Sequence, residues 1–430
     1  AKTGAIVGSA SNPTFDANKL NITNYNNPLV AYTYEPGSTM KIFSFASSIE
    51  EGKYNGSETY NSGRIVVDDY EIKDWNDKGW GTITYDVGFT YSSNVAATLL
   101  AQKLGKEKLL DYYTDLGFGQ KTGIELLGEM KGKVNFMYAS ELAAASYGQG
   151  ITITPIQMIQ ALTCLTNNGT VLKPYVVNKI SNQDGKIIFQ SKREELKKVY
   201  SEDTIKKITE LLDLTVNGED GLATGKVYST DQVRLVGKTG TAQYISSDGG
   251  YTSGTKNIRS FAGFFPKDDP QYIIYVLVKD LEGTSSAMGN ITKSVVESIA
   301  KYKNLSERQT NKDETKYVTL SNYLNRNIND VVNELNNLKL NQVVVGSGDI
   351  IVDQYPNKNK NIVINSKVYL KTNGTINMVD ITGFNKTEVI NLMNFIGVDY
   401  EINGTGKVVG FNIPVGSEIN EKLIINMEGW

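Results

Sequence analysis

Between residues 232 and 280 the apolar positions fall into three runs, "QVRLVGKTGTAQYI" (232–245), "IRSFAGFFP" (258–266) and "QYIIYVLVKD" (271–280). The Gly-rich "SSDGGYTSGTKN" separates the first two and the tight "KDDP" the last two, so the pattern predicts an antiparallel meander. A helix is predicted to follow from about Asn290 to Tyr302. "GAIVGSAS" near the start reads as another strand, while "SNVAATLLAQKLG" and "TPIQMIQALTCLTN" carry helical period. The expected fold class is α+β, with helices packed on an antiparallel sheet.

One helical stretch is apolar nearly all round. In "YTYEPGSTMKIFSFASSIEEG" (32–52), Pro36 and Gly37 signal a turn, and Ile42, Phe43, Phe45, Ala46 and Ile49 then cover most of the helix circumference. Such a helix belongs in a core. Ser38 and Lys41, three residues apart, share a face at its N-terminal end, where free backbone N–H groups favour negative charge. Taken alone, the pair reads as an N-cap and a lysine reaching for water. Taken with other signals, it is a nucleophilic hydroxyl beside an amine.

Beyond residue 303 the pattern changes. "NLSERQTNKDET" (304–315) is polar and aperiodic and reads as a linker. After it the chain repeats: "DVVNELNNLKLN" from Asp330 matches "EVINLMNFIGVD" from Glu388, and "GDIIVDQYP" from Gly348 matches "GKVVGFNIP" from Gly406. Each repeat reads as one short helix followed by strands, a small module of its own.

Composition narrows the chemistry. The chain has 430 residues, a formal net charge of -3 and no run of like charge long enough to make an electrostatic tail, so it offers no basic field to nucleic acid. "YIIYVLV" from Tyr272 is far shorter than the roughly 20 apolar residues of a bilayer span. With no histidine at all, Ser-His-Asp, Cys-His and His-metal mechanisms are excluded. The single cysteine, Cys164, follows an apolar helical pattern and reads as core. A magnesium or calcium site built from carboxylates alone stays open, but no EF-hand-like spacing is present, and no metal and no cofactor are expected.

S-x-x-K occurs at Ser38, Ser253 and Ser298, about as often as chance allows, but only Ser38 stands between a turn and a buried helix. K-T-G occurs at Lys2, Lys121 and Lys238, and only Lys238 lies within a strand. There Lys238 faces one side, Thr239 and Thr241 the other, and Gly240 leaves room for a ligand backbone. S-x-N occurs once, at Ser92-Ser93-Asn94, in a turn that opens a helix. The ordered set Ser38–Lys41, Ser92–Asn94, Lys238–Gly240 resembles the serine penicillin-recognising enzymes. "GAIVGSASNPTFDAN", "YEPGSTMKIF", "SSNVAA", "GFGQKTGIELLGE", "YGQGITITPIQMIQAL" and "GKTGTAQ" sharpen this to the class B penicillin-binding proteins, the monofunctional D,D-transpeptidases of cell-wall synthesis. The terminal repeats resemble PASTA modules, with Ser321 and Val379 where a proline is usual.

The resemblance implies a transpeptidase domain over 1–303, truncated at its N-terminus, a linker over 304–315, and PASTA-like modules over 316–374 and 375–430. It implies Ser38 as nucleophile, Lys41 as its base, Ser92 as proton relay and Asn94 as a holder of substrate amide. Lys238, Thr239, Gly240 and Thr241 would receive the substrate carboxylate, and the backbone N–H groups of Ser38 and Thr241 would form the oxyanion hole. The implied ligands are peptidoglycan stem peptides and β-lactams, with a membrane glycosyltransferase as partner and no nucleic acid. The implied place is the outer face of a Gram-positive cell membrane, held by an N-terminal anchor upstream of Ala1. A D,D-carboxypeptidase or β-lactamase-type hydrolase, and a non-catalytic β-lactam sensor, are the competing readings.

Overall fold

The computed structural model describes residues 1–16, 18–219, 224–244, 252, 256–281, 285–303, 305, 317–363, 366–404 and 406–428. The 253 S-x-x-K serine, most of the "SSDGGYTSGTKN" segment and, apart from Leu305, the expected linker lie outside the described residues. The chain divides into two compact units, Ala1–Arg308 and Gln309–Trp430. No helix among the described residues is long and apolar enough to cross a membrane.

In the first unit, helix α1 (Lys41–Glu50) continues a 3-10 turn over Gly37–Met40. A hairpin of β1 (Arg64–Val67) and β2 (Tyr70–Lys73) precedes α2 (Asn94–Leu104). Helix α3 (Pro155–Leu162) opens with a capping box between Thr154 and Gln157, and its last turns tighten to a 3-10 segment, Thr163–Thr166. Helix α4 (Glu202–Asn217) follows, capped by Ser201. The meander is present as β3 (Val236–Ala242), β4 (Ile258–Phe265) and β5 (Tyr272–Lys279), antiparallel throughout, with β4 central. Helix α5 (Ser285–Lys303) closes the unit.

The period-two rule explains the nearly unbroken apolar run of β4. Ile258, Ala262 and Phe264 face the main core, which holds Phe43 and Phe45 of α1, Leu100 of α2 and Leu211 of α4. Phe261 and Phe265 face the other way, into a second cluster with Met288, Val296 and Ala300 of α5. The sheet is therefore covered on both sides, and α1 lies inside from Lys41 to Ser48, with Ile42, Phe43, Phe45 and Ala46 all buried. Cys164 is buried in the same core, and burial pushes its thiol well above the usual range.

Two sequence expectations are corrected. "GAIVGSAS" forms no strand: Ala5 makes one isolated bridge to Tyr175, and Val7 is 76% exposed, so there is neither a ladder nor a buried face to extend it. Helix α5 begins at Ser285, five residues before Asn290. Gly289 hides this start from propensity, but a Cβ there would meet Val227 O at 2.8 Å, so the glycine is kept for close packing.

The second unit carries one design twice. In the first copy α6 (Ile328–Asn337) leads to β6 (Asn341–Val345), β7 (Ile351–Tyr355) and β8 (Lys367–Thr372). In the second, α7 (Lys386–Ile396) leads to β9 (Tyr400–Gly404), β10 (Lys407–Phe411) and β11 (Leu423–Glu428). In both, the last strand is central, parallel to the first and antiparallel to the second, with a register shift in that antiparallel pair. The copies touch: Lys367 pairs with Glu388 at 2.8 Å and lies 3.5 Å from the centre of the Phe384 ring.

Candidate active site

The 3-10 turn places Ser38 at the mouth of α1 and sets Lys41 one turn further in. Gly37 starts the turn at φ +59°, a conformation that suits glycine, and a Cβ on it would stand 2.6 Å from Thr241 O. The turn is thereby pressed against β3, which brings the backbones of Ser38 and Thr241 into adjacent positions. Lys41 is fully buried. Its Nζ lies 3.1 Å from Ser38 Oγ and donates to Ser92 O at 2.5 Å and Asn94 Oδ1 at 2.7 Å, with Ser92 Oγ at 3.3 Å.

The second wall is the entry to α2. Ser92 adopts φ +61°, and Ser93 then caps the helix by accepting from Ala96 N at 3.0 Å. This bend turns Ser92 and Asn94 toward Lys41. Asn94 Nδ2 donates to Lys73 O at 2.7 Å, which fixes the amide so that Oδ1 meets the amine. The buried Asp74 carboxylate accepts from Ser93 Oγ at 2.8 Å, Val95 N at 3.1 Å and Gly63 N at 2.8 Å.

The third wall is β3. Lys238 is fully buried, 5.9 Å from the centre of the Phe89 ring, while Thr241 is exposed and Thr239 half-buried. Thr239 Oγ1 donates to Thr224 Oγ1 at 2.9 Å. A Cβ on Gly240 would stand 2.3 Å from Ser260 Oγ and 3.0 Å from Thr39 Cγ2, so this glycine lets the strand lie against the nucleophile's turn.

Burial is the main cause that holds the Lys41 ammonium well below the usual lysine range; the like charge of Lys238 adds to it, and Asp74 opposes it. Burial alone lowers Lys238 to about 7. An amine so depressed can take a proton from a hydroxyl 3.1 Å away, which an ordinary lysine cannot do near neutrality. Among the described residues no three Cys, Asp or Glu side chains converge as a metal site.

All the residues singled out from the sequence lie on these three walls. Lys73, Asp74, Phe89, Gly148 and Thr224 also bear on the site and went unremarked. Asp74 and Phe89 make their contacts across the chain, and no local period marks them. Gly148 lay in view within "YGQG", but its partner is the Gly37 turn far upstream.

Comparison with known proteins bears on the family and the fold. A family model described as penicillin binding protein transpeptidase domain matches residues 1–301, and one described as PASTA domain matches 318–374. The chain is similar to stage V sporulation protein D of Bacillus subtilis, at 34% identity over 387 residues, covering 85% of this chain and 59% of that protein. It is also similar to penicillin-binding protein PbpB of Mycolicibacterium smegmatis, at 30% identity over 290 residues, covering 65% of this chain and 44% of that one. Among solved structures it resembles penicillin binding protein 2X from Streptococcus thermophilus, with TM-score 0.64 and 26% identity over 100% of this chain and 66% of that one. Penicillin binding protein 3 from Mycobacterium tuberculosis, complexed with aztreonam, gives TM-score 0.63 and 26% identity, with 68% of each chain covered. The chain thus spans about six-tenths of the sporulation protein's length, 59%, and within that span it belongs to the penicillin-binding protein transpeptidase family, with a class B fold followed by PASTA structure.

Proposed function

We propose that the protein is a peptidoglycan D,D-transpeptidase that works through a Ser38 acyl-enzyme and is inhibited when β-lactams acylate the same hydroxyl. The observation that carries this reading is the buried Lys41 amine 3.1 Å from Ser38 Oγ, with Ser92 Oγ 3.3 Å beyond it. Ser38 Oγ attacks the carbonyl carbon of the penultimate D-Ala of a stem peptide, and its proton passes to Lys41 Nζ. The tetrahedral oxyanion is held by the backbone N–H groups of Ser38 and Thr241, each worth roughly 3 to 4 kcal/mol in other acyl-transfer enzymes. As the peptide C–N bond breaks, Ser92 hands a proton to the departing D-alanine nitrogen and regains one from Lys41. An amine of a second stem peptide then attacks the Ser38 ester and gives its proton to Lys41; as the acyl C–Oγ bond breaks, Lys41 returns a proton to Ser38 Oγ, leaving a new amide bond and the free enzyme. Lys238, Thr239 and Thr241 receive the terminal carboxylate, Gly240 gives access to the strand, and Asn94 holds a substrate amide.

The division proposed for the chain is a catalytic domain over 1–303, a linker over 304–315 and modules over 316–374 and 375–430. It is supported by the PASTA match at 318–374 and by the same topology in the second repeat. The proposed place is the outer face of a Gram-positive cell membrane, reached through an N-terminal anchor, with a membrane glycosyltransferase supplying the glycan strands. Intact-mass spectrometry after incubation with a penicillin tests the site: one acyl group is expected, lost in Ser38→Ala, and labelling that survives the mutation overturns the assignment. Turnover of a D-Ala thioester with a D-amino acid acceptor tests the reaction. Acyl transfer is expected; hydrolysis alone indicates a carboxypeptidase-type or β-lactamase-type enzyme, and stable acylation without turnover indicates a sensor.

A further inference from the structure

Lys73, the last residue of β2, and Asp74 and Trp75 directly after it tie themselves to the turn that carries Ser92 and Asn94. Lys73 O accepts from Asn94 Nδ2 at 2.7 Å, and Trp75 Nε1 donates to Tyr91 O at 2.8 Å. Between them Asp74, 1% exposed, accepts from Ser93 Oγ, Val95 N and Gly63 N, and its own N–H donates to Gly63 O at 2.8 Å. The turn so held is an unfavourable one for its residues. Ser92 sits at φ +61°, a conformation that serine rarely adopts and that persists only where its surroundings hold it. The carboxylate also stands at the N-terminus of α2, where helix N–H groups welcome negative charge.

We propose that Asp74 is a positioning residue for acyl transfer: its carboxylate locks the Ser92–Asn94 turn against Lys41 and sets a negative charge near that buried amine. The proposal rests on the Ser38–Lys41 reading above and extends it to the group that governs when Lys41 is free of its proton. The charges bearing on the Lys41 amine come from two elements, Lys238 on β3 and Asp74 after β2, and they act in opposite directions. Ser38, Ser92 and Asn94, which complete its surroundings, are neutral. Without Asp74 the amine gives up its proton at lower pH, while the turn that aims Ser92 loses its anchor. The geometric and electrostatic effects therefore part company in a pH profile. The first lowers the rate at every pH, and the second moves the acidic limb, which reports the base of the free enzyme.

The test is the second-order rate of acylation by a fluorescent penicillin from pH 5 to 10, for wild type, Asp74→Asn and Ser93→Ala, with Ser38→Ala as blank. Asp74→Asn keeps the shape and one acceptor oxygen but sets an amide N–H against Gly63 N–H. Its plateau is expected to fall about tenfold to a hundredfold, in line with slight misplacement of reacting groups, and its acidic limb is expected to move to lower pH. Ser93→Ala keeps the charge and removes one tether, so its rate should fall several-fold with the limb in place. A folded Asp74→Asn protein whose limb coincides with wild type overturns the proposal. Should Asp74→Asn fail to fold, Ser93→Ala decides: wild-type rate in a folded Ser93→Ala protein also overturns it. If wild type itself is not acylated above the Ser38→Ala blank, the Ser38 reading fails instead.

Discussion

Gly37 donates its backbone N–H to the carbonyl oxygen of Gly148 at 2.9 Å, and a Cβ on Gly148 would stand 2.2 Å from Gly37 O. Two glycines distant in sequence thus fix the height at which the Ser38 turn sits above the core. Both take positive φ, +59° at Gly37 and +83° at Gly148, so a side chain at either is strained as well as crowded.

Gly148→Ala should therefore displace the nucleophile's turn without touching a catalytic atom. Left-handed strain and a backbone clash together cost about 1–3 kcal/mol. Shifting Ser38 by a fraction of its 3.1 Å distance from Lys41 should slow acylation about a hundredfold. Thermal melting and penicillin acylation kinetics on the same sample check both. A variant that melts lower but acylates at the wild-type rate shows that the turn is held by other contacts.

The reason these glycines, like Asp74, were hard to read lies in where their partners are. Period-two apolar runs located β3, β4 and β5 because each strand's burial is written in its own residues, with Phe261 and Phe264 on opposite faces. The three catalytic motifs stood out for the same local reason, each sitting at a turn or in a strand. What escaped depends on pairs far apart: Gly37 with Gly148, Asp74 with Ser93 and Val95, Thr239 with Thr224. "GAIVGSAS" failed in the opposite way. Its residues suit a strand, but only Ala5 finds a partner, at Tyr175.

The buried amine of Lys238 makes stability depend on pH. Its folded value, about 7, lies below its ordinary value of 10.5, so between these the unfolded chain binds the proton and the folded chain does not. Stability from this group must then rise with pH across that window, by about 1.4 kcal/mol per pH unit, and level off outside it. Lys238→Met, which keeps the bulk and loses the charge, should melt higher than wild type at pH 6, and the gain should shrink as pH approaches 10. Calorimetry of both proteins across that range checks the sign. A melting difference that stays constant with pH means the amine is hydrated or paired.

Lys238 also bears on the chemistry through Lys41. Its positive charge lowers the Lys41 value, so Lys238→Gln should raise it and move the acidic limb of acylation to higher pH. This is the opposite direction from Asp74→Asn, a contrast that general loosening of the site cannot produce. The rate at the plateau should fall too, because the carboxylate of the substrate loses the Lys238 amine as a hydrogen-bond partner, but the position of the limb is the informative reading. A limb that does not move, measured with wild type under the same salt, removes Lys238 as a source of the Lys41 depression.

The acyl-transfer machinery should survive removal of the second unit. Ser38, Lys41, Ser92, Asn94, Lys238 and Thr241 all lie within Ala1–Arg308, and the core around α1 and the sheet draws only on residues of that unit. The point of division matters. Leu305 donates its N–H to Ala300 O at 2.8 Å and packs against the cluster behind the sheet, so a chain ending at Lys303 loses the group that finishes α5. A chain ending at Arg308 keeps it. The 1–308 fragment should fold and react with a fluorescent penicillin at close to the rate of the 430-residue chain, since removing a separate unit leaves the walls of the site and their charges in place. The fragment ending at Lys303 should react as fast but melt lower, by about 1–2 kcal/mol of lost leucine burial and helix end. Acylation of the 1–308 fragment slowed tenfold or more at full folding, about 1.4 kcal/mol of barrier, means that the repeats act on the site and that the chain does not divide there.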